Sequence, residues 1–275
     1  MIEEARRICS EAEAVMITAG AGMGVDAGLP DFRGPEGFWR AYPAYRKLGR
    51  RFEEMANPQH FAEDPAVGWG FYGHRQALYR TTEPHWGYHR LRAWSKTLPG
   101  GAFVFTSNVD HHFVRAGFPP ERIEECHGNI FYRQCAANCS GEIWEGFEDE
   151  VLVNGETMRA EEPLPRCPGC GGLARPNILM FGDWGWSPER TAAQEERRRA
   201  WMGERQGQRV AILEFGAGTG VPTVRWFSEQ AARALGSHAR LIRVNPREPE
   251  VPPGEVGLAM GGLVAIEKLL SGEEA

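Results

Sequence analysis

The chain lacks long apolar runs and blocks of basic residues, and both absences exclude classes of function. No stretch approaches the length of a membrane span, and the first residues, MIEEARRICSEAEA, form a charged amphipathic helix pattern rather than a signal peptide. The net charge is −6, without the clustered cations that neutralise phosphates. We therefore expect a cytoplasmic protein that binds neither nucleic acid nor a membrane.

Cysteine is also scarce, with six in 275 residues, but four of these fall in two close pairs. Cys135-x3-Cys139 and Cys167-x2-Cys170 are separated by 27 residues. Short pairs of this kind are typical of the two knuckles that hold a tetrahedral Zn²⁺. Because four thiolates leave no open coordination position, the predicted zinc is structural. The alternative is four reduced cysteines without a metal.

A short apolar run at residues 15–19 leads directly into the glycine turn Gly20-Ala21-Gly22. This pattern is typical of a buried strand that ends in a tight turn. Glycines let backbone N–H groups approach a pyrophosphate closely. The match to G-x-G-x-x-A that starts at Gly22 is weak alone, and Pro30 interrupts the helix that a dehydrogenase would have there. We therefore expect a nucleotide site that differs from that of a dehydrogenase.

Residues 20–34, GAGMGVDAGLPDFRG, resemble the glycine-rich NAD segment of the sirtuins, which are NAD-dependent protein deacylases. The resemblance implies that Asp31, Phe32 and Arg33 belong to a loop over the NAD site. Gly24 stands where the family usually has Ser or Thr, so one polar contact to NAD is lost.

Polar residues follow the second apolar run, at the point where an open α/β sheet places ligand contacts. This segment, TSNVD, resembles the TQNID of the sirtuins, whose Asn and Asp line the nicotinamide-ribose pocket. The resemblance assigns Asn108 and Asp110 to that pocket, with Ser107 in place of the Gln. A plain helix N-cap is the alternative.

Two later segments resemble the rest of the family's NAD site. Gly216, Ala217 and Gly218 replace a GTS sequence, so backbone N–H groups must substitute for two hydroxyls. The residues assigned to the adenine end are Asn245, Pro246, Arg247 and Ala259. The strand and glycines at 210–220 also fit a methyltransferase loop for S-adenosylmethionine, but only 55 residues follow, too few for the rest of that sheet.

The candidate catalytic base is His127, in the sequence Glu125-Cys126-His127-Gly128. It matches the family's HG pair, and a neutral imidazole near pH 7 suits a base for a ribose hydroxyl. A purely structural histidine is the alternative. Because neighbours on a strand point to opposite faces, we expect Cys126 to be a buried apolar residue outside the same site.

Two segments are candidates for substrate contact. RPNILMFGD, residues 175–183, resembles the family's RPDIVFFGE, which pairs with the extended substrate backbone and implicates Phe181 and Gly182. Tyr72 and Arg75, three apart on a predicted helix, match the Y-x-x-R of sirtuins that remove succinyl or malonyl groups. Arginine suits this role because its fork binds a carboxylate bidentately. The alternative places Tyr72 in the core and Arg75 in solvent.

The predicted fold is α/β, a doubly wound parallel, Rossmann-like sheet with a small zinc-ribbon and helical module. The sheet takes residues 1–35, 98–130 and 175–275, and the module takes a helical insertion at 36–97 and a zinc-binding part at 131–174. The resemblance implies NAD-dependent removal of acyl groups (succinyl, malonyl or acetyl) from lysine on a protein or peptide substrate, giving nicotinamide and O-acyl-ADP-ribose. The altered NAD positions leave two alternatives open: ADP-ribosyl transfer or NAD hydrolysis, and NAD sensing without catalysis. No feature points to an oligomeric state.

Overall fold

A computed structural model of the protein describes residues 1–30, 37–39, 42–47 and 49–271. The strands are β1 Ala14–Ala19, β2 Ala102–Thr106, β3 Ile123–Glu125, β4 Gly128–Cys135, β5 Ile143–Glu145, β6 Val153–Asn154, β7 Arg159–Ala160, β8 Ala174–Ile178, β9 Val210–Phe215, β10 Arg240–Val244 and β11 Val256–Leu258. The helices whose bounds lie within the described residues are α1 Ile2–Ser10, α2 Gly22–Val25, α3 Pro43–Lys47, α4 Phe52–Met55, α5 Gln59–Glu63, α6 Pro65–Thr81, α7 Trp86–Ser95, α8 His112–Arg115, α9 Glu189–Glu204, α10 Thr223–Leu235 and α11 Gly262–Leu270.

Six parallel strands form the main sheet, in the order β11-β10-β9-β1-β2-β3. β1 lies at the centre, with Val15 level with Ala102 of β2 and with Ala211 of β9. The chain therefore runs outward in one direction from β1 to β3 and in the other from β9 to β11. In such a sheet, ligands bind beyond the carboxyl ends of the strands, where the order reverses. Here that crevice lies between β1 and β9.

Helices cover both faces of this sheet, as the predicted doubly wound fold requires. Every residue of β1 and β9 is buried, since parallel strands covered on both sides are apolar throughout. Val15 and Ile17 pack into the core with α1, α7 and α11, whereas Met16 packs into the core with α9 and α10. The prediction of a doubly wound parallel sheet is confirmed.

The small module combines helices α3–α6 with an antiparallel sheet, β5-β4-β8, and the hairpin β6-β7. Its core is aromatic and includes Phe38, Tyr42, Phe71 and Tyr72. One helix of the predicted insertion at 36–97 packs elsewhere: α7 lies against α11, in the core of the main sheet. The cause is its apolar face of Tyr88, Leu91 and Trp94, which is buried there.

Among the described residues, no helix combines the length and the apolar character that crossing a membrane requires.

Candidate functional site

A cavity of about 960 Å³ lies at the carboxyl edge of the main sheet and extends to the small module. It brings together most of the residues that the sequence assigned to the cofactor, the base and the substrate. The predicted residues that line it are Ala21, Gly22, Ser107, Asn108, Asp110, Gly216, Gly218, Asn245, Pro246, Arg247, His127, Tyr72, Arg75 and Phe181. Segments far apart in sequence therefore face one space, of the size that binds small-molecule cofactors.

Of the other predicted cofactor and substrate residues, four described ones do not line this cavity and three are not described. Asp31, Phe32 and Arg33 fall outside the described residues. Gly20 is covered by the loop after β9, and Ala217 is buried in a small cluster with Phe105 and Val224. Gly182 turns with a φ of +68° next to Phe181, and Ala259 is exposed beyond β11.

The glycines of the first loop are required by contact with the loop after β9. A Cβ on Gly20 would lie 2.8 Å from the Gly216 carbonyl oxygen, and one on Gly22 would lie 2.6 Å from the Gly216 Cα. The Gly22 N–H donates to the Gly216 carbonyl (3.1 Å), and the Gly20 N–H donates to that of Phe215 (2.9 Å). These two N–H groups therefore join the loops after β1 and β9. The sequence pattern had instead predicted that the glycines let backbone N–H groups approach a phosphate.

Asn108 and Asp110 are buried at the end of β2 and line the cavity. The Asn108 side-chain amide donates to the Gly20 carbonyl (3.0 Å), which joins the loops after β1 and β2. An Asp110 carboxylate oxygen accepts from the backbone N–H of His112, the first residue of α8 (3.0 Å). Asp110 thus stabilises the start of a helix and also faces the cavity, so the two interpretations of this segment are compatible.

Asn245 joins the loop after β9 to the loop after β10, and both loops line the cavity. Its Nδ2 donates to the Ala217 carbonyl (2.9 Å), and its Oδ1 accepts from the backbone N–H of Arg247 (2.9 Å). Two residues that the sequence analysis missed lie beside it: the Glu248 carboxylate accepts from the backbone N–H of Thr219 at 3.0 Å and from its hydroxyl. Both line the cavity. The available signal was an acidic residue just after a strand-end Asn.

His127 lies in the turn between β3 and β4, and its carbonyl accepts from the Leu179 N–H (3.0 Å) at the end of β8. The preceding carboxylate, Glu125, is buried; it accepts from Asn129 Nδ2 (2.6 Å) and forms a short ion pair with Arg190. Arg190 belongs to α9, so this charged helix braces the strand that carries the His127 turn.

Cys126 is half-buried and packs against the cluster that contains Phe105. Burial raises the pKa of its thiol well above the usual range, which disfavours a reactive thiolate. Cys126 does not line the cavity. Both observations agree with its interpretation as an apolar packing residue.

The small module contributes a cationic wall surrounded by aromatic rings. Tyr72 and Arg75 are 1% and 6% exposed, so the alternative with Arg75 in solvent is wrong. The Arg75 guanidinium carbon lies 5.4 Å from the ring centroids of Phe52 and Phe71. The Tyr72 hydroxyl is buried and has no hydrogen-bond partner among the described residues.

The loop that ends in Phe181 and Gly182 is fixed by a buried ion pair. Arg175 donates from both terminal nitrogens to Asp183, at 2.8 and 2.9 Å, and these side chains are 3% and 0% exposed. Asp183 also accepts from the Met180 N–H (3.3 Å). The pair therefore closes the loop on itself and holds Phe181 at the cavity.

The four cysteines meet at the far end of the small module, with their sulfurs within 4.8 Å of one another. Cys135 Sγ lies 3.7 Å from Cys170 Sγ, and Cys139 Sγ lies 3.7 Å from Cys167 Sγ. A disulfide is ruled out at that separation. Four thiolates placed at about 2.3 Å around one zinc stand about 3.8 Å apart. The cluster thus fits one structural zinc, as predicted.

Comparison with known proteins shows that this chain is similar to the members of one protein family. The pattern of the Sir2 family matches residues 20–199. The chain is 32% identical over 196 residues to the NAD-dependent protein deacylase sirtuin-5, mitochondrial, of Canis lupus familiaris, covering 65% of this chain and 59% of that protein. An NAD-dependent protein deacylase of Thermococcus kodakarensis is 32% identical over 185 residues, which cover 66% of this chain and 65% of that protein. The chain thus spans less than two thirds of the length of these two relatives.

Other similarities extend over almost the whole chain. An NAD-dependent protein deacylase of Thermus thermophilus is 29% identical over 274 residues, 98% of this chain and 94% of that protein. Among solved structures, a mutant Sir2 homologue in complex with ADP-ribose is 26% identical, with a TM-score of 0.69 over 98% of this chain and 95% of that one. The chain therefore belongs to the Sir2 family.

Proposed function

We propose that this protein uses NAD to remove acyl groups that end in a carboxylate, such as succinyl or malonyl, from lysine of a protein or peptide. The observation that carries the proposal is the position of Arg75 and Tyr72: both are buried, yet both line the cavity that holds His127 and the glycine loops. The relatives described above are named NAD-dependent protein deacylases, which supports the reaction class.

The acyl preference follows from the chemistry of the wall of the small module. A buried hydroxyl without a partner costs about 1–3 kcal/mol, so the Tyr72 hydroxyl favours a ligand that brings an acceptor. A carboxylate is such an acceptor, and Arg75 supplies the opposite charge. The surrounding rings exclude water, which strengthens a charge-assisted hydrogen bond. An acetyl group brings no carboxylate and should be the poorer substrate.

The residues of the cavity fit NAD. The space of about 960 Å³ suits a dinucleotide together with an acyl chain. The residues that would hold NAD belong to the loops of Gly22, Asn108, Gly216 and Asn245. Bound NAD would supply a ribose carbon that takes the acyl oxygen as nicotinamide leaves, and one water would be consumed in giving O-acyl-ADP-ribose and free lysine.

His127 is proposed as the general base, since its turn lies on the cavity and a neutral imidazole can take a proton from a ribose hydroxyl. Asp110 is proposed to stabilise positive charge that develops on the ribose, since this acidic residue lines the cavity. Glu125 and Arg190 brace the turn from behind and do not line the cavity. The zinc site is separate and holds the small module, and the cytoplasmic location stays a prediction.

The test compares kcat/KM for a succinyl-lysine peptide and an acetyl-lysine peptide of the same sequence. The wild type should favour the succinyl peptide, and Arg75→Met should reverse the preference by about 30- to 150-fold, equivalent to about 2–3 kcal/mol. Arg80→Met is the control, because Arg80 lies on the same helix but is exposed and donates to the Phe147 carbonyl. Equal ratios before and after Arg75→Met would contradict the proposal.

A further inference from the structure

Tyr79 shares a face of α6 with the two residues of the proposed acyl site. It lies four residues after Arg75 and seven after Tyr72, a spacing that stacks side chains along one side of a helix. All three line the cavity, and Tyr79 is only 3% exposed. Tyr79 lies outside the Y-x-x-R pair, but its i+7 spacing from Tyr72 is a sequence signal that indicates the same helix face.

The hydroxyl of Tyr79 contacts Arg75 directly. Arg75 Nη2 donates to Tyr79 Oη at 2.6 Å, and the guanidinium carbon lies 5.4 Å from the centre of the Tyr79 ring. Such a bond to a charged donor is directional, so it fixes one edge of the guanidinium. Burial raises the pKa of Tyr79, which keeps the phenol neutral. A neutral oxygen orients the cation without neutralising it.

The backbone at Tyr79 is itself anchored to α8, the helix that follows the predicted NAD residues Asn108 and Asp110. Arg115 Nη1 donates to the carbonyls of Tyr79 and Thr82, both at 2.7 Å. Arg115 is the last residue of α8, whose first backbone N–H is bound by Asp110. The last turn of α6 is therefore tied to the end of β2. This connection sets the distance between the cationic wall and the residues around Asp110.

We propose that Tyr79 is a positioning residue for recognition of the acyl carboxylate: its hydroxyl fixes the rotation of the Arg75 guanidinium so that the cation meets a carboxylate carried by the acyl chain. The inference rests on the proposed function. Without the hydroxyl, the Nη2 edge of the Arg75 guanidinium loses this restraint, and the carboxylate must fix the orientation of that edge when it binds. The consequence should be weaker binding of dicarboxylic acyl groups with little change in the chemical step.

The test is Tyr79→Phe, which keeps the ring and removes only the hydroxyl. We expect KM for the succinyl peptide to rise about 10- to 100-fold with kcat within about twofold, and acetyl kinetics to stay unchanged. The control is Tyr88→Phe. Tyr88 is also fully buried and its hydroxyl lacks a partner among the described residues, but it lies in the core of the main sheet and not on the cavity. Its kinetics should match the wild type.

A double variant separates positioning from an independent contact. If Tyr79 acts through Arg75, Tyr79→Phe should add nothing to the loss caused by Arg75→Met on the succinyl peptide. Additive losses, equal losses on both peptides, or no effect of Tyr79→Phe would each overturn the inference while leaving the proposed function intact. A wild type without any succinyl preference would overturn the proposed function, and this inference with it.

Discussion

The backbones of Gly22 and Gly216 cross at the reversal point of the sheet with no space for a side chain between them. A Cβ on Gly216 would lie 2.4 Å from the Gly22 carbonyl carbon, and Gly216 also has a φ of +61°. Gly216 therefore serves two requirements, the left-handed conformation and the close approach. The floor of the cavity depends on this contact because both residues line it.

Replacing Gly216 with Ala should lower the free energy of unfolding by about 2–4 kcal/mol, since it adds an overpacked contact to an unfavourable φ. NAD binding should weaken as the loops separate. Gly203→Ala is the control, because Gly203 lies in α9 with open space at its Cβ position and alanine favours a helix. Denaturant unfolding and calorimetric NAD titration of both variants give the answer. A Gly216→Ala protein as stable as Gly203→Ala would contradict this account of the glycines.

His127→Ala should leave NAD affinity near that of the wild type but lower kcat by about 10²- to 10⁴-fold, the usual contribution of a general base. Calorimetry measures the affinity for NAD, and single-turnover deacylation measures the rate of the chemical step. His238→Ala, a substitution of an exposed histidine, controls for the mutation itself. Near-normal turnover in the His127 variant would remove this residue from the mechanism.

The metal should be essential to the small module. Elemental analysis should find one zinc per chain in the wild type, and Cys135→Ala or Cys170→Ala should lose the zinc together with the fold of the module. Cys9→Ala should keep it, because Cys9 lies in α1, away from the four-cysteine cluster. Folded, active protein that contains no zinc would refute the assignment.

Arg175→Met should destabilise the protein by about 3–5 kcal/mol, because it leaves the buried Asp183 carboxylate without its cation. The loop that holds Phe181 should loosen, raising KM for the peptide substrate. Arg166→Met should cost less than about 1 kcal/mol, since its pair with Glu162 is exposed. Thermal unfolding distinguishes the two variants, and similar melting temperatures would argue against a structural role for the Asp183 pair.

The features predicted from sequence are those carried by neighbouring residues. The strand before Gly20, the cysteine pairs and the Tyr72-x-x-Arg75 spacing are each local patterns that a short window contains. The missed contacts join distant segments: Thr219 and Glu248 are 29 residues apart, and Glu125 and Arg190 are 65 apart. No local pattern indicates such pairing, because the fold alone brings the partners together. The packing of α7 on α11 was missed for the same reason.

Nicotinamide release from NAD, measured with and without a succinyl-lysine peptide, decides whether this protein is a deacylase. We expect nicotinamide release only when the peptide is present, in equal amounts with O-succinyl-ADP-ribose and free lysine. Release without peptide would instead indicate NAD hydrolysis or ADP-ribosyl transfer, and NAD binding without release would indicate a sensing module. Either of these results would contradict deacylation as the activity of this protein.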